Sequence, residues 1–376
     1  MSIINSGLEG VVAASTRLSH VDGERGELII AGFPLAELAA NATFEETTWL
    51  LWHGELPTAH QLTHFRAELA AQRSLRPATL ALLRECAAAQ ADTMDALRVA
   101  AGTISLESSE PAAIVAKIPT IAAAYARLAA GDEPIAPRAD LAHAANYLYM
   151  LSGDVPNTER ERALETYLNT VVDHGLNAST FTCRVITSTG SDLVSAIVGA
   201  IGALKGPLHG GAPGPALEMV FEIGDASRAE EVLRRKIEGG DRLMGFGHRV
   251  YKVRDPRADV LGAAAERLFT RGGDMSLYTL YTLARSVEAT ALELLEEYKP
   301  GRRLQTNVEF YTALLLHGLG LAVPQFTPTF AIGRVSGWIA HALEQRAAAR
   351  LIRPSSEYIG AHDRKWLSLD ARTVAA

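Results

Sequence analysis

Apolar residues recur every three or four positions through most of this chain, and the alternation that marks a half-buried strand is almost absent. A chain patterned this way buries one stripe of each helix against other helices, so the expected fold is all-α. Thr43, with Glu46 three residues on, reads as a capping box. It opens a helix that carries Trp49, Leu50 and Leu51 inward and stops near Gly54 and Pro57. Residues 61–90 read as one helical region rich in Ala, Leu and Arg. A further helix is expected from Ala112 to Ala130, with Pro111 at its start, Pro119 as a kink and Gly131 beyond its end. Another spans Leu141 to Leu151. Residues 1–33 read as irregular, with turn signals at Asp22-Gly23 and Arg25-Gly26, and Leu28 to Ile30 strand-like at best.

Between Asp192 and Lys205 the chain is apolar without a single charge. That run is shorter than the ~20 residues a membrane span requires, so it reads as a buried helix. Ser191 is its candidate N-cap. Gly199, Gly202, Ala203 and Gly206 leave one side nearly bare, which lets another helix approach closely, within the core or across a subunit interface. Residues 212–317 differ, with mixed charges and shorter helical segments broken at Gly239-Gly240, Gly272-Gly273 and Pro300-Gly301. The expected organisation is a large helical domain from residues 1–211 and 318–376, with a small helical domain of residues 212–317 inserted into it.

The 376 residues carry a formal net charge of -7, which argues against general nucleic-acid binding. Cys86 and Cys183 are the only cysteines, so no disulfide framework is implied. The opening MSIINSGLEG has neither a basic nor an apolar signal region, and the expectation is a cytoplasmic protein with no membrane partner.

Against this acidic background, Met244 to Arg257 reads MGFGHRVYKVRDPR. His248 follows Gly245, Phe246 and Gly247 and sits among Arg249, Lys252, Arg254 and Arg257. Asp255 precedes Pro256, so the run is expected to end in a turn. A solvated basic loop would explain the charges alone. The glycine-flanked histidine points instead to a site for an anion, because glycine lets backbone approach a ligand closely.

Four other residues invite the same question. His209 lies in a Pro-Leu-His-Gly-Gly turn and reads as a loop histidine or as a donor at a site edge. His174 sits between Asp173 and Gly175, either oriented by the carboxylate or simply ending a helix. Arg334 falls in a nearly apolar helix from Phe330 to Leu343, where a guanidinium needs a partner: a structural salt bridge or a bound carboxylate. Glu309 is a candidate base with a raised pKa, or an ordinary acid at a helix start. Together, these groups suit carbon–carbon bond formation on a small polycarboxylate, with a base beside a thioester, histidines for the enol and the ketone, and arginine forks for carboxylates. No HExxH, CxxC or P-loop spacing occurs, and Gly-x-Gly-His does not follow a strand, so no metal and no cofactor is expected.

LKGPLHGGAPGP, MGFGHRVYKVRDPRA, NVEFYTALLLHGLGL and FTPTFAIGRVSGWIAHALEQ together resemble the citrate synthase family. VDGERGELIIAGFPLAELA, TFEETTWLLWHGELPT and VDHGLNASTFTCRV are similar to it as well, in family order over nearly the whole chain. The likeness is to the short dimeric type that includes 2-methylcitrate synthases. The resemblance implies a helical fold whose small domain closes over oxaloacetate and an acyl-CoA. It implies that His209 stabilises the enol, that His248 protonates the oxaloacetate carbonyl, and that Glu309 removes the methyl proton. By the same resemblance His174, His248, Arg257, Arg334 and Arg353 bind oxaloacetate, with Arg353 reaching the other subunit's site. Leu243, Met244, Gly245, Phe246 and Gly247 line CoA, and Lys252 neutralises its phosphates. Acetyl-CoA is the first expected donor, propionyl-CoA the second, and a non-catalytic binding paralogue the third reading. Three positions depart from the family: Glu309 stands where Asp is usual, Val171 where His is frequent, and Ile30-Ala31-Gly32 where the family has Tyr-Arg-Gly.

Overall fold

Helix-to-helix packing accounts for nearly all the architecture. The computed structural model describes residues 7, 8, 10–210, 213–248, 250–271 and 275–372. Arg249, Gly211, the Gly272-Gly273 break and most of the opening MSIINSGLEG lie outside the described residues. Sixteen α-helices and one small antiparallel sheet occur among them, so the fold is all-α.

Local chemistry places the boundaries. The capping box is formed: Thr43 Oγ1 accepts from Glu46 N at 3.3 Å, and Glu46 Oε2 accepts from Thr43 N at 2.7 Å. Pro111 opens the helix Pro111–Ala129, which absorbs Pro119 and buries every residue from Ala112 to Tyr125. It is long and apolar enough to cross a membrane by composition, yet here 78% of its most apolar stretch is buried in the core. Residues 61–90 form two helices rather than one region, Ala59–Ala71 and Pro77–Ala88, with Pro77 starting the second. The charge-free helix is capped by Asp192, not Ser191: Asp192 Oδ1 accepts from Ser195 N at 2.9 Å, and a carboxylate also suits the helix dipole. Its bare side receives a helix of the same chain, since a Cβ on Gly199 would overlap the Ile186 side chain of Ala178–Ser188.

Two features depart from the sequence reading. Residues 19–34 are not irregular but form a three-stranded sheet, with Ser19–Asp22 paired antiparallel to Glu27–Ile30, which pairs antiparallel in turn with Phe33–Pro34. Strands this short offer too few residues to show a period. The 212–317 region also contains the helix Met275–Tyr298, 24 residues long, where shorter segments were expected. Gly240 and Gly301 do stand just past helix ends, both with positive φ.

The long helix Phe326–Ala348 runs through the centre. Gly333 and Gly337 let it lie on the end of Thr158–Val171: an added Cβ at Gly333 would stand 3.0 Å from Leu168 O, and one at Gly337 would strike the Val172 carbonyl. That contact brings Arg334 beside the segment carrying His174.

Candidate active site

The Met244–Arg257 stretch does not end in a turn. Pro256 is the first residue of the helix Pro256–Arg271, where its missing N–H is harmless and its fixed φ is suited to helix. Asp255 therefore sits just before the helix, buried, and accepts three bonds from Arg257: the backbone N–H at 3.0 Å, Nε at 3.0 Å and Nη2 at 2.8 Å. Burial would raise the Asp255 pKa, but the Arg257 charge and hydrogen bonds hold it below its ordinary value. Asp255 also accepts from Val308 N at 3.2 Å, which ties this loop to the helix Val308–Gly318 that carries Glu309.

His248 is half-buried and held from one side. Its Nδ1 accepts from the N–H groups of Val250 and Tyr251, both at 3.1 Å. That network assigns the ring proton to Nε2. Nη2 of Arg257 lies 3.2 Å from that Nε2, so guanidinium and imidazole stand in direct contact, and one anionic oxygen beside them can accept from both. Burial, and then the Arg257 charge, push the His248 pKa down to about 4, so the ring is neutral at pH 7. His174 stands across from it, with ring centroids 6.0 Å apart and its Nε2 3.1 Å from the Tyr251 hydroxyl. Burial followed by Arg257 lowers the His174 pKa as well.

His209 occupies a different kind of setting. Its Nε2 accepts from Ser179 N at 3.3 Å and lies 2.8 Å from Ser179 Oγ, which leaves the ring proton on Nδ1. Ser179 is fixed in turn by Trp338 Nε1 at 3.1 Å and by the N-cap Asn177 at 2.8 Å. Burial, then Arg334, bring the His209 pKa to about 4. Asn177-Ala178-Ser179 looks in the sequence like an idle glycosylation sequon; in the fold it is a helix cap that orients a histidine.

Glu309 is the second residue of its helix. Its backbone N–H is capped by Asn307 Oδ1 at 2.9 Å, and its carboxylate has no hydrogen bond or ion pair among the described residues. Burial raises its pKa to about 7 against the opposing pull of Arg257. Arg334 is 1% exposed, donates from Nε to Val171 O, stacks 4.6 Å over Phe330 and has no carboxylate within ion-pair distance among the described residues. Its pKa falls to about 10 through burial. Of the two partners expected for it, the structural salt bridge is absent. His174, His209, Arg257 and Glu309 all interact electrostatically with Arg334, so one cleft gathers them.

The segment Leu243 to Gly247 joins the same cleft. Asn307 Nδ2 donates to Gly247 O at 2.7 Å, and Asn307 N donates to Gly245 O at 2.9 Å. Gly245, at φ 90°, lets the loop pass Phe310, whose Cβ would be 2.9 Å from an added Cβ. Leu243 and Phe246 are buried and Met244 is half-buried. Lys252 is exposed. Arg353 is not in the cleft; it lies exposed on the extended segment that follows the central helix. Ser179, Tyr251, Asp255 and Asn307 were missed as site residues. Only Asn307, a cap residue two positions before an acid, left a readable signal.

A neutral histidine with Nδ1–H, a second with Nε2–H, an unpaired carboxylate near neutrality and an unneutralised guanidinium make an acid–base enzyme for anionic substrates. The family model for the C-terminal domain of citrate synthase matches residues 7–355. A citrate synthase of Haloferax volcanii is 40% identical over 98% of this chain and 99% of its own length. A 2-methylcitrate synthase of Mycobacterium tuberculosis is 38% identical over 96% of this chain and 92% of its own. The ternary complex of carboxymethyl coenzyme A and oxaloacetate with citrate synthase from Thermoplasma acidophilum is 29% identical, with a TM-score of 0.88 over 98% of this chain and 99% of that one. The chain belongs to the citrate synthase family. It is a transferase that moves an acyl group in a condensation.

Proposed function

We propose that the chain condenses acetyl-CoA with oxaloacetate and water, giving citrate and CoA. The observation that carries this reading is the Glu309 carboxylate, without a partner among the described residues and raised to about 7, together with two neutral histidines of opposite tautomer. Glu309 takes a proton from the acetyl methyl group while His209 Nδ1–H donates to the thioester oxygen, so an enol forms rather than a free enolate. The enol carbon attacks the oxaloacetate ketone as the enol proton returns to His209 and His248 gives its Nε2 proton to the ketone oxygen. The guanidinium of Arg257 favours that proton loss by lying beside the ring. Water then cleaves the citryl thioester, its proton restoring His248 while the proton held by Glu309 leaves with the CoA thiol. Arg334 and the free edge of Arg257 hold carboxylates, and His174 faces the same substrate. The segment Leu243 to Gly247 lies along CoA, with Lys252 toward its phosphates.

The departure at Glu309 fits this reading. The extra methylene of Glu309 is accommodated because no internal partner pins its carboxylate. Residues 212–317 act as the closing domain and residues 1–211 with 318–376 as its base. The extended segment after the central helix exposes Leu351, Ile359, Trp366 and Leu369 together with Arg353. An apolar arm of this kind suits a second copy of the chain, and Arg353 then completes the partner's site in a homodimer. Thiol release from acetyl-CoA and from propionyl-CoA, each with oxaloacetate, tests the reading. No turnover with either, despite ligand binding, overturns it, and a faster propionyl-CoA reaction makes the product 2-methylcitrate. For the shared site, Arg353→Leu subunits re-dimerised with His248→Ala subunits should recover part of the activity lost by each.

A further inference from the structure

We infer that the turn of the N-terminal hairpin, acting through Gly23, is a positioning element that holds His248 in its Nε2–H tautomer. The inference rests on the role of His248 proposed above and adds a residue to it. The peptide joining Val250 to Tyr251 faces two ways. Its N–H donates to His248 Nδ1 at 3.1 Å, next to the Val250 N–H. Its carbonyl lies against the Cα of Gly23: a Cβ there would collide with the Val250 oxygen and stand 2.8 Å from the Val250 carbon. The Gly23 carbonyl then accepts the next N–H along, that of Lys252, at 2.9 Å. One residue without a side chain thus braces the peptide that orients the histidine and fixes the peptide after it.

The turn itself is held. Asp22 Oδ1 accepts from Glu24 N at 3.0 Å and Arg25 N at 2.9 Å. Gly26, with φ 67°, fits against Val253 and the Arg254 carbonyl. The far end of the same strand is anchored beside His174. Ser19 Oγ accepts from Gly175 N at 2.9 Å and donates to Asp173, the two neighbours of that histidine. Asp173 is locked from behind by His341 Nε2 at 3.0 Å. From Ser19 to Gly23 the strand spans roughly 13 Å, at about 3.3 Å per residue. A single short strand therefore references both histidine loops to each other. This gives Asp22-Gly23 and Arg25-Gly26 a task beyond turning the chain.

Gly23 does not lie in the left-handed region, so Gly23→Ala introduces a push on the Val250–Tyr251 peptide without backbone strain. The full-length enzyme carrying Gly23→Ala should lose about 10- to 100-fold in kcat, as expected for displacing a reacting group by ~1 Å. The acyl-CoA KM should stay within about twofold. In histidine-labelled protein, the Nδ1 resonance of His248, assigned by its loss in His248→Ala, should move toward the protonated position. Glu24→Ala, an exposed side chain in the same turn, should change neither. If Gly23→Ala folds poorly, Asp22→Ala loosens the turn without a clash and is read by the same kcat and resonance. Unchanged kcat and an unmoved resonance in either variant, with His248→Ala inactive, overturn the inference and leave the role of His248 standing. Full turnover in His248→Ala overturns that role instead.

Discussion

Two glutamates meet the helix Val308–Gly318 in different ways: Glu288 is buried against its Tyr311, and Glu309 is one of its own residues. Glu288 is surrounded by donors: Thr306 Oγ1 at 2.7 Å, Arg254 Nη1 at 2.8 Å, Arg285 Nη1 at 3.1 Å and the Tyr311 hydroxyl. Burial alone would raise its pKa, but hydrogen bonds from Tyr311, Thr306 and Arg254 outweigh it and hold the carboxyl below its ordinary value. Glu309, two residues from Tyr311 on the same helix, has none of these donors, and its pKa rises to about 7. The same side chain is a structural knot where the fold saturates it and a base where the fold leaves it unpaired. Arginine repeats the lesson: Arg257 is forked onto Asp255, whereas Arg334 has only a carbonyl and a ring among the described residues.

The largest expected effect separates the glutamates directly. Glu309→Gln should lower kcat by about 10²- to 10⁴-fold, the usual worth of a general base, while calorimetry still detects oxaloacetate binding. Glu288→Gln should leave turnover within a few-fold. If the two variants are equally inactive, the distinction between knot and base is broken. Next comes Arg334→Met. Loss of a buried charged contact to substrate costs about 2 to 5 kcal/mol, so oxaloacetate affinity should fall at least ~30-fold. The unliganded protein should melt no lower than wild type, because a lone buried charge has been removed. A lower melting temperature without ligand would mean that Arg334 has a structural partner after all.

A smaller effect is expected at the knot, where Glu288→Gln should destabilise by about 1 to 3 kcal/mol in denaturant melts. The pH dependence should be opposite in sign at the two sites. The folded pKa of Glu309 is raised from 4.5 to about 7, so its contribution is fully present below pH 4.5 and is lost as pH rises through 7. Glu309→Gln should therefore gain stability relative to wild type across that window. Glu288 has a lowered folded pKa, and its contribution is present above its unfolded value and lost as pH falls through the folded one. A shared sign in the two melting series would refute the comparison. In the same window, kcat/KM should rise as Glu309 ionises.

The helical fold was legible because a stripe of apolar residues is a local property. So were the capping box at Thr43 and the proline-opened helix at Pro111. The histidines and Arg334 could be picked out because glycine neighbours or an apolar setting made them odd. The Glu288 knot was illegible: Arg254, Arg285, Thr306 and Tyr311 converge only after two helices and two loop segments pack together. The hairpin at residues 19–34 escaped because strands of four residues carry no period. The longest helix of the 212–317 region escaped because mixed charges blurred its stripe. The turn expected at Asp255-Pro256 failed for a simple reason: proline before a helix and proline in a turn look alike until the following residues are seen to coil.

Asn307 spends its two amide atoms on different structures, Oδ1 on the start of the Glu309 helix and Nδ2 on the carbonyl of Gly247. Fraying of that helix and release of the Leu243–Gly247 loop are therefore one event with one opening free energy. Asn307→Ala should therefore speed amide exchange at Glu309 and also at Gly247, whose N–H donates to Gln305 O at 2.7 Å within the same loop. The base is in place only when the loop is, which makes a single asparagine the point where folding of the site and readiness for chemistry become the same equilibrium.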